Sequence, residues 1–284
     1  MQIEERLRAD IVEIGRRLHD RGFVASNDGN ISVRLDAERL LTTPTGVSKG
    51  FMTPDMLVTT DLTGRKLTGD REPSSEILMH LAVYEHRPEI EAVVHAHPPT
   101  ATGFAVAGIP LDRAVLAEVV TTLGSIPIAD YGTPSTRELA DAVRQYIRVH
   151  DGLLLANHGA LTVAHELFAA YYKMETVEHF ARISLVARQL GGERLLSREE
   201  VGRLQNLRDR YGIAVPAPFC PPDREDGDGV NCQALEAPSS QSARLVEPQT
   251  LNPDGIGTLG QDQEIRLTYR ELTALVADAV KHLR

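Results

Sequence analysis

Cysteine is scarce in this sequence: two occur among 284 residues, Cys220 and Cys232, in a stretch rich in Pro, Asp and Gly. One short-spaced pair in a chain of this size is not the disulfide framework of a small secreted protein, so we expect a reducing, cytoplasmic location. Clusters of basic residues are also missing, and the net charge is -10. This disfavours nucleic acid as a partner, because a phosphate backbone is bound by grouped Lys and Arg side chains.

Long apolar runs are lacking as well. The opening stretch, MQIEERLRADIVEIGRRLHDRG, carries acidic residues throughout and has no continuous apolar segment. It therefore matches neither a signal peptide nor a membrane span, and we expect a soluble protein with no membrane partner. The hydrophobic content of 42% is ordinary for a globular chain that buries a core.

Helical and strand patterns alternate over the first 218 residues or so, which predicts an α/β layered domain with a mostly antiparallel sheet. Helices are predicted at both ends of this region, between Pro73 and Pro88, and over 166–190. Two shorter helices are predicted in TATGFAVAG and TRELADAVRQYIRV. The segments predicted as strands are NISVRL, RLLTTP, MLVTTDL, IEAVVHAH, IPIADY and GLLLANHG.

The composition changes after the predicted domain, which we place at 1–218. Residues 219–260 are rich in Pro, Gly, Ser, Asp and Gln, which predicts a flexible linker. Residues 261–284 predict an amphipathic helix, because Thr268 and Glu271 form a capping box ahead of an apolar stripe. A lone helix of this length is marginal in water, so the stripe needs a partner surface.

Two histidines, His95 and His97, end the apolar run AVVHAH. Side chains alternate along a strand, so both point to one face, about 6 to 7 Å apart along the backbone. A third histidine, His158, is predicted to end another apolar strand, before a glycine turn. Each one alone is compatible with an ordinary capping histidine, but three together predict an open, three-ligand zinc site.

Glu76 is predicted in the first turn of the helix that follows PSS. There it can either face a metal on a neighbouring strand or complement the helix dipole, which contributes about 0.3 to 1 kcal/mol. The same helix start, with its two serines, predicts an anion site. Glycine-centred turns in SNDGNISVR and TPTGVSKG supply further backbone donors, so together these segments predict a phosphate-sized pocket.

Six segments resemble the class II aldolase/adducin family in order and spacing: GNISVR, TPTGVSKG, PSSEILMH, VVHAHPPTATGFA, YGTPST and LLLANHGAL. The resemblance covers residue 3 to about 212 and implies a three-layer domain, a central sheet flanked by helices. It implies that His95, His97 and His158 bind Zn²⁺ or another divalent ion, and that Glu76 is the acid/base and a further ligand until substrate displaces it. The residues that the resemblance assigns to the substrate phosphate are Asn30, Thr45, Gly46, Ser74 and Ser75.

The implied activity is that of a homotetrameric, metal-dependent aldolase of the fuculose-phosphate type. It would cleave a ketose 1-phosphate, similar to L-fuculose 1-phosphate, to dihydroxyacetone phosphate and an aldehyde, with the metal as Lewis acid. Tyr211 resembles a family tyrosine that reaches the neighbouring subunit's site. The alternatives are a pentulose-phosphate 4-epimerase, a sugar-acid phosphate decarboxylase or dehydratase, and a non-catalytic adducin-like module.

The C-terminal segment has two interpretations. A short amphipathic helix on a Pro- and Gly-rich tether resembles the peptides that direct enzymes to the shell proteins of bacterial microcompartments. Equally, the helix can dock on its own tetramer. The sequence favours neither.

Overall fold

The structure, a computed structural model, describes residues 2–210. Tyr211, the two cysteines, the predicted linker and the predicted C-terminal helix lie outside this range. Two short 3₁₀ turns cover Lys49–Phe51 and Pro54–Met56. The helices are α1 (Gln2–Asp20), α2 (Ile77–His86), α3 (Pro99–Val106), α4 (Ala117–Thr122), α5 (Arg137–Ile147), α6 (Leu167–Gln189) and α7 (Arg198–Arg210). The strands are β1 (Asn30–Arg34), β2 (Arg39–Thr42), β3 (Val58–Asp61), β4 (Lys66–Thr68), β5 (Ala92–Ala96), β6 (Ile128–Ala129), β7 (Gly152–Leu155) and β8 (Gly159–Ala164).

All eight strands belong to one sheet, in the order β4-β3-β2-β1-β5-β8-β7-β6. Every neighbouring pair is antiparallel except β6 and β7, which are parallel. The mostly antiparallel α/β class expected from the sequence is therefore confirmed. At the centre of the sheet, His95 of β5 lies opposite Asn30 of β1 on one side and Leu161 of β8 on the other.

Helices cover both faces of the sheet because residues along each strand alternate between two hydrophobic cores. Val94 belongs to the core that includes Phe180 of α6, whereas Val93 belongs to the core that includes Val83 of α2. This gives three layers, with α1, α3 and α6 on one side and α2 and α5 on the other. His95 shares the face of Val93, so it points toward the α2 side.

The structure differs from the sequence prediction around His158. We expected one strand to end at this histidine, but β7 ends at Leu155 and β8 begins at Gly159. His158 therefore lies in the turn of a β-hairpin, next to Asn157, whose φ of 55° is one that asparagine tolerates. Apolar residues on both sides concealed the turn. The six-residue helix α4 was not predicted either, because it is too short to show helical periodicity.

A buried ionic cluster joins the end of α2 to β7 and α6. The carboxylate of Asp151 lies 2.9 Å from Nη1 of Arg87 and 2.6 Å from Nζ of Lys173. Asp151 is almost fully buried, so its charge is compensated by these two partners rather than by water. None of the helices among residues 2–210 combines the length and apolarity needed to cross a membrane.

Candidate metal centre and anion cleft

The pairing of β5 with β8 brings the three predicted histidines together. His95 lies near the end of β5, His97 follows that strand directly, and His158 projects from the β7–β8 turn. Their ring centroids are 4.7 to 5.0 Å apart. One nitrogen from each ring lies within 4.8 Å of the other two, and Nε2 of His95 is 3.1 Å from Nε2 of His97.

This arrangement fits a transition-metal ion such as zinc. Nitrogens bound to one tetrahedral zinc at about 2.0 to 2.1 Å lie about 3.3 Å from each other, close to the spacing between His95 and His97. Nδ1 of His95 lies 2.9 Å from the carbonyl oxygen of Ala160 and donates its proton to it. The lone pair of His95 is therefore on Nε2, which faces the other two rings.

The two neighbouring imidazoles are neutral at physiological pH, the form that binds metals. Burial, together with the neighbouring His95, lowers the pKa of His97 and of His158 to about 4. In addition, Nδ1 of His158 is buried without a hydrogen-bond partner in the described part of the chain. A buried polar nitrogen without a partner is costly, so the site is not fully satisfied by the protein groups described.

Glu76 lies beside two of these histidines. Its carboxylate oxygens are 3.3 Å from Nε2 of His95 and 3.2 Å from Nε2 of His158. It precedes α2 rather than lying in its first turn, with φ and ψ of -98° and 18°. Burial tends to raise the pKa of Glu76, but its interactions with His95 and His158 and a hydrogen bond from Asn30 outweigh this effect, so the pKa is below its usual range. The carboxylate is therefore ionised.

The close packing around Gly159 explains why a glycine follows His158. A Cβ atom at this position would lie 2.6 Å from the carbonyl oxygen of Ala96 and 2.6 Å from Cδ2 of His97. Both distances are shorter than real contacts allow, so the first residue of β8 must lack a side chain for the histidines to converge.

A cleft of about 300 Å³ extends from the histidines to the start of α2. Backbone hydrogen bonds hold its two rims together, since Ser74 N donates to Thr43 O and Thr45 N donates to Glu72 O. Every predicted site residue except Tyr211 lines this cleft or the metal centre next to it. The residues expected to bind phosphate that line it are Asn30, Thr45, Gly46, Ser74 and Ser75.

Lys49 also lines the cleft, and the sequence analysis missed it. Its ammonium donates to the carbonyl oxygens of Asn27 (2.9 Å) and Val47 (2.7 Å), and the residue is 2% exposed. Burial lowers its pKa to about 8, although the charges of Asp28 and Glu76 oppose this shift. The two carbonyls use two of its three N–H donors. The sequence does show this lysine, soon after the glycine turn in TPTGVSKG, but we interpreted that segment only as a source of backbone donors.

Glu178 is a second residue that the sequence did not reveal. From the buried face of α6 it accepts hydrogen bonds from the backbone N–H groups of Thr100 (3.0 Å) and Ala101 (2.9 Å). These donors belong to the first turn of α3, where a negative charge is favourable. Because α3 begins two residues after His97, this cap fixes the chain that leaves the metal centre.

Known proteins share this fold. A family model described as the Class II Aldolase and Adducin N-terminal domain matches residues 9–185. An L-fuculose phosphate aldolase of Methanococcus maripaludis is 34% identical over 181 residues, covering 64% of this chain and 97% of the relative. A 3-oxo-tetronate 4-phosphate decarboxylase of Pectobacterium atrosepticum is 32% identical over 187 residues, covering 64% of this chain and 85% of the relative. A solved structure titled L-fuculose 1-phosphate aldolase has a TM-score of 0.67 and 30% identity, covering 72% of this chain and 95% of that one.

The chain therefore belongs to the class II aldolase and adducin N-terminal domain family. The resemblance seen in the sequence is confirmed at this level. The two named relatives carry different activities, so family membership leaves the substrate open.

Proposed function

We propose that this protein is a divalent-metal-dependent lyase that cleaves a ketose 1-phosphate, similar to L-fuculose 1-phosphate, to dihydroxyacetone phosphate and an aldehyde. One observation carries the proposal: a single cleft has three converging imidazoles at one end, anion-binding groups at the other, and an ionised carboxylate beside the imidazoles. The names of the fuculose-phosphate aldolase relatives agree with this chemistry.

The anion-binding end would hold the substrate phosphate. Thr45 and Ser75 offer hydroxyl groups there, and the positive φ of Gly46 (69°) turns the backbone of the opposite rim. Lys49 adds a positive charge near these donors. Hydrogen bonds to a charged phosphate are stronger than those between neutral groups, so this end would fix the position of the sugar.

The metal end would carry out the bond cleavage. A divalent ion held by His95, His97 and His158, for which we propose zinc, would act as a Lewis acid toward charge that develops on substrate oxygens. Glu76 is the proposed proton-transfer group, because it is ionised and lies within 3.3 Å of the histidine nitrogens. In its resting position it is also a proposed fourth ligand.

The proton of the cleaved alcohol needs a separate acceptor. We keep Tyr211 as the proposed group, contributed by a neighbouring subunit of a homotetramer. It lies outside the described residues, as does the segment 219–284. The two interpretations of that segment, a microcompartment shell anchor and a helix docked on the tetramer, stay predictions.

A second candidate is decarboxylation of a 3-oxo sugar-acid phosphate. The 32% identity to a 3-oxo-tetronate 4-phosphate decarboxylase favours it over the epimerase alternative. The same cleft would bind the phosphate, and the same metal would stabilise the charge left when carbon dioxide departs.

Product analysis distinguishes the two candidates. The purified, zinc-loaded protein would be assayed with a panel of ketose 1-phosphates for dihydroxyacetone phosphate, and with 3-oxo-tetronate 4-phosphate for carbon dioxide. We expect the first product, and its loss after treatment with a chelator and recovery after zinc is restored. Carbon dioxide alone would support the decarboxylase. Neither product, or turnover that survives complete metal removal, would contradict a metal-dependent lyase.

A further inference from the structure

Four buried polar residues form a row that begins beside Glu76, where the first of them also lines the cleft, and ends near the C-terminus of α2. They connect β1 to α2 between the metal centre and the hydrophobic core, and none was singled out beyond the phosphate role assigned to Asn30. Each is at most 5% exposed. We call Tyr84, Ser32, His80 and Asn30, in this order, the donor chain.

Short hydrogen bonds link the members of the donor chain. Tyr84 Oη lies 2.9 Å from Ser32 Oγ, which lies 2.6 Å from His80 Nδ1. His80 Nε2 lies 2.5 Å from Asn30 Oδ1, and Asn30 Nδ2 lies 2.8 Å from a carboxylate oxygen of Glu76. The four residues therefore connect the end of α2 to the carboxylate without a break.

The Asn30 amide sets the direction of the bonds. Its NH₂ group can only donate and lies toward Glu76, whereas its oxygen can only accept and lies toward Nε2 of His80. His80 must then carry a proton on Nε2. Burial lowers the pKa of His80 to about 3, so the ring is neutral and has no second proton.

The remaining protons follow from this tautomer. Nδ1 of His80 carries a lone pair and accepts the single proton of the Ser32 hydroxyl. The Ser32 oxygen must therefore accept from Tyr84, whose pKa is raised by burial, so that it keeps its proton. Every hydrogen bond of the donor chain is therefore donated in the direction of Glu76. Each polar group has one defined orientation as a result.

We propose that His80 is a positioning residue for Glu76, and that it acts by fixing the orientation of the Asn30 amide. If His80 does not donate from Nε2, the Asn30 amide can rotate and present its oxygen to the carboxylate, which repels it. Glu76 would then leave the position in which it contacts His95 and His158. The catalytic consequence rests on the proposed lyase function, whereas the tautomer and the orientation do not.

Two substitutions at one position separate this role from simple core packing. In His80→Gln the side-chain amide still offers an N–H group to Asn30, whereas His80→Leu has a similar size and no donor. We expect kcat of His80→Leu to fall by about 10- to 100-fold at nearly constant KM, as for other residues that orient a catalytic group. His80→Gln should keep most of the activity. His150→Leu, the same change at a histidine bonded to the backbone of Ser125, is the matched control and should leave kcat unchanged.

Equal kcat in His80→Leu, His80→Gln and the wild type would overturn the proposal, because it would reduce His80 to a packing residue. Zinc content and the thermal midpoint of each variant show whether the site and fold persist. If His80→Leu does not fold, nitrogen NMR of the histidine-labelled wild type still determines which tautomer His80 adopts. The His80 signal, identified by its loss in His80→Gln, must show a proton on Nε2 and none on Nδ1.

The opposite tautomer, or a doubly protonated ring, would refute the donor chain. This spectrum does not require turnover. Failure of the lyase assay with the expected tautomer would therefore contradict the proposed function and leave the donor chain in place.

Discussion

The buried ammonium of Lys49 leads to a prediction about stability at alkaline pH. In the unfolded chain its pKa is the ordinary 10.5, whereas in the folded protein it is about 8. Below pH 8 both states hold the proton, and the cost of burying the charge is present in full. As the pH rises above 8, the folded state releases the proton first, so the unfolded state binds more protons and stability increases with pH.

The size of this effect follows from the shift. Each pKa unit corresponds to about 1.4 kcal/mol, so the full gain is about 3.5 kcal/mol and is complete only above pH 10.5. At pH 10 the same relation gives a gain of about 2.5 kcal/mol relative to neutral pH. This is a large fraction of the total stability of an ordinary domain, which is about 5 to 15 kcal/mol.

The measurement compares the wild type with Lys49→Met and Lys49→Arg. Urea unfolding at fixed protein concentration, between about pH 7 and about pH 10, gives the free energy of unfolding of each protein. The difference between wild type and Lys49→Met should grow by about 2.5 kcal/mol over this range, since other titrating groups cancel in the subtraction. Lys49→Arg, whose guanidinium stays charged, should show no such growth. A difference that does not change with pH would refute the reasoning, because it would mean that the fold does not destabilise the charged lysine.

The remaining predictions concern the metal ligands and the buried charges. His95→Ala should lower bound zinc well below one ion per chain in elemental analysis, whereas His165→Ala, at an exposed histidine, should retain it; equal zinc in both would contradict the metal centre. Gly159→Ala should weaken zinc binding in a competition titration with a chelator and cost about 1 to 3 kcal/mol of stability, because the new methyl group overlaps His97. Asp151→Ala should lower the free energy of unfolding by about 3 to 5 kcal/mol, since two cations lose their buried partner. An unchanged urea midpoint in Asp151→Ala would show that those cations reach water instead.

Local sequence patterns were sufficient to predict part of the candidate site. The alternation of side chains in a strand placed His95 and His97 on one face, and the start of α2 after Pro73 predicted donors for an anion. His158 was added to this site only as a third histidine beside an apolar segment, because its approach to the other two depends on the antiparallel pairing of β5 with β8. That pairing joins segments more than sixty residues apart, and no local period indicates it.

The residues that support the site could not be predicted from local sequence patterns, for the same reason. Ser32 and Tyr84 are 52 positions apart, and Ser32 and His80 are 48 apart, yet each pair is joined by a hydrogen bond. In the sequence they are single polar residues among apolar neighbours, which is also the pattern of ordinary strand and helix positions. Lys49 was concealed differently, because a lysine is usually solvated, and only the folded chain shows that this one is buried.

The position of the metal centre within the sheet has a further consequence. Asn30, His95 and the start of β8 belong to three adjacent central strands, with at least two strands beyond them on each side. Amide protons in such strands exchange with solvent only when most of the fold opens, so we expect the backbone around His95 to exchange slowly. The two rims of the cleft, in contrast, are turns that follow β2 and precede α2. Changes in these rims would therefore leave the imidazoles in place, which agrees with relatives of similar identity that carry the names of different reactions.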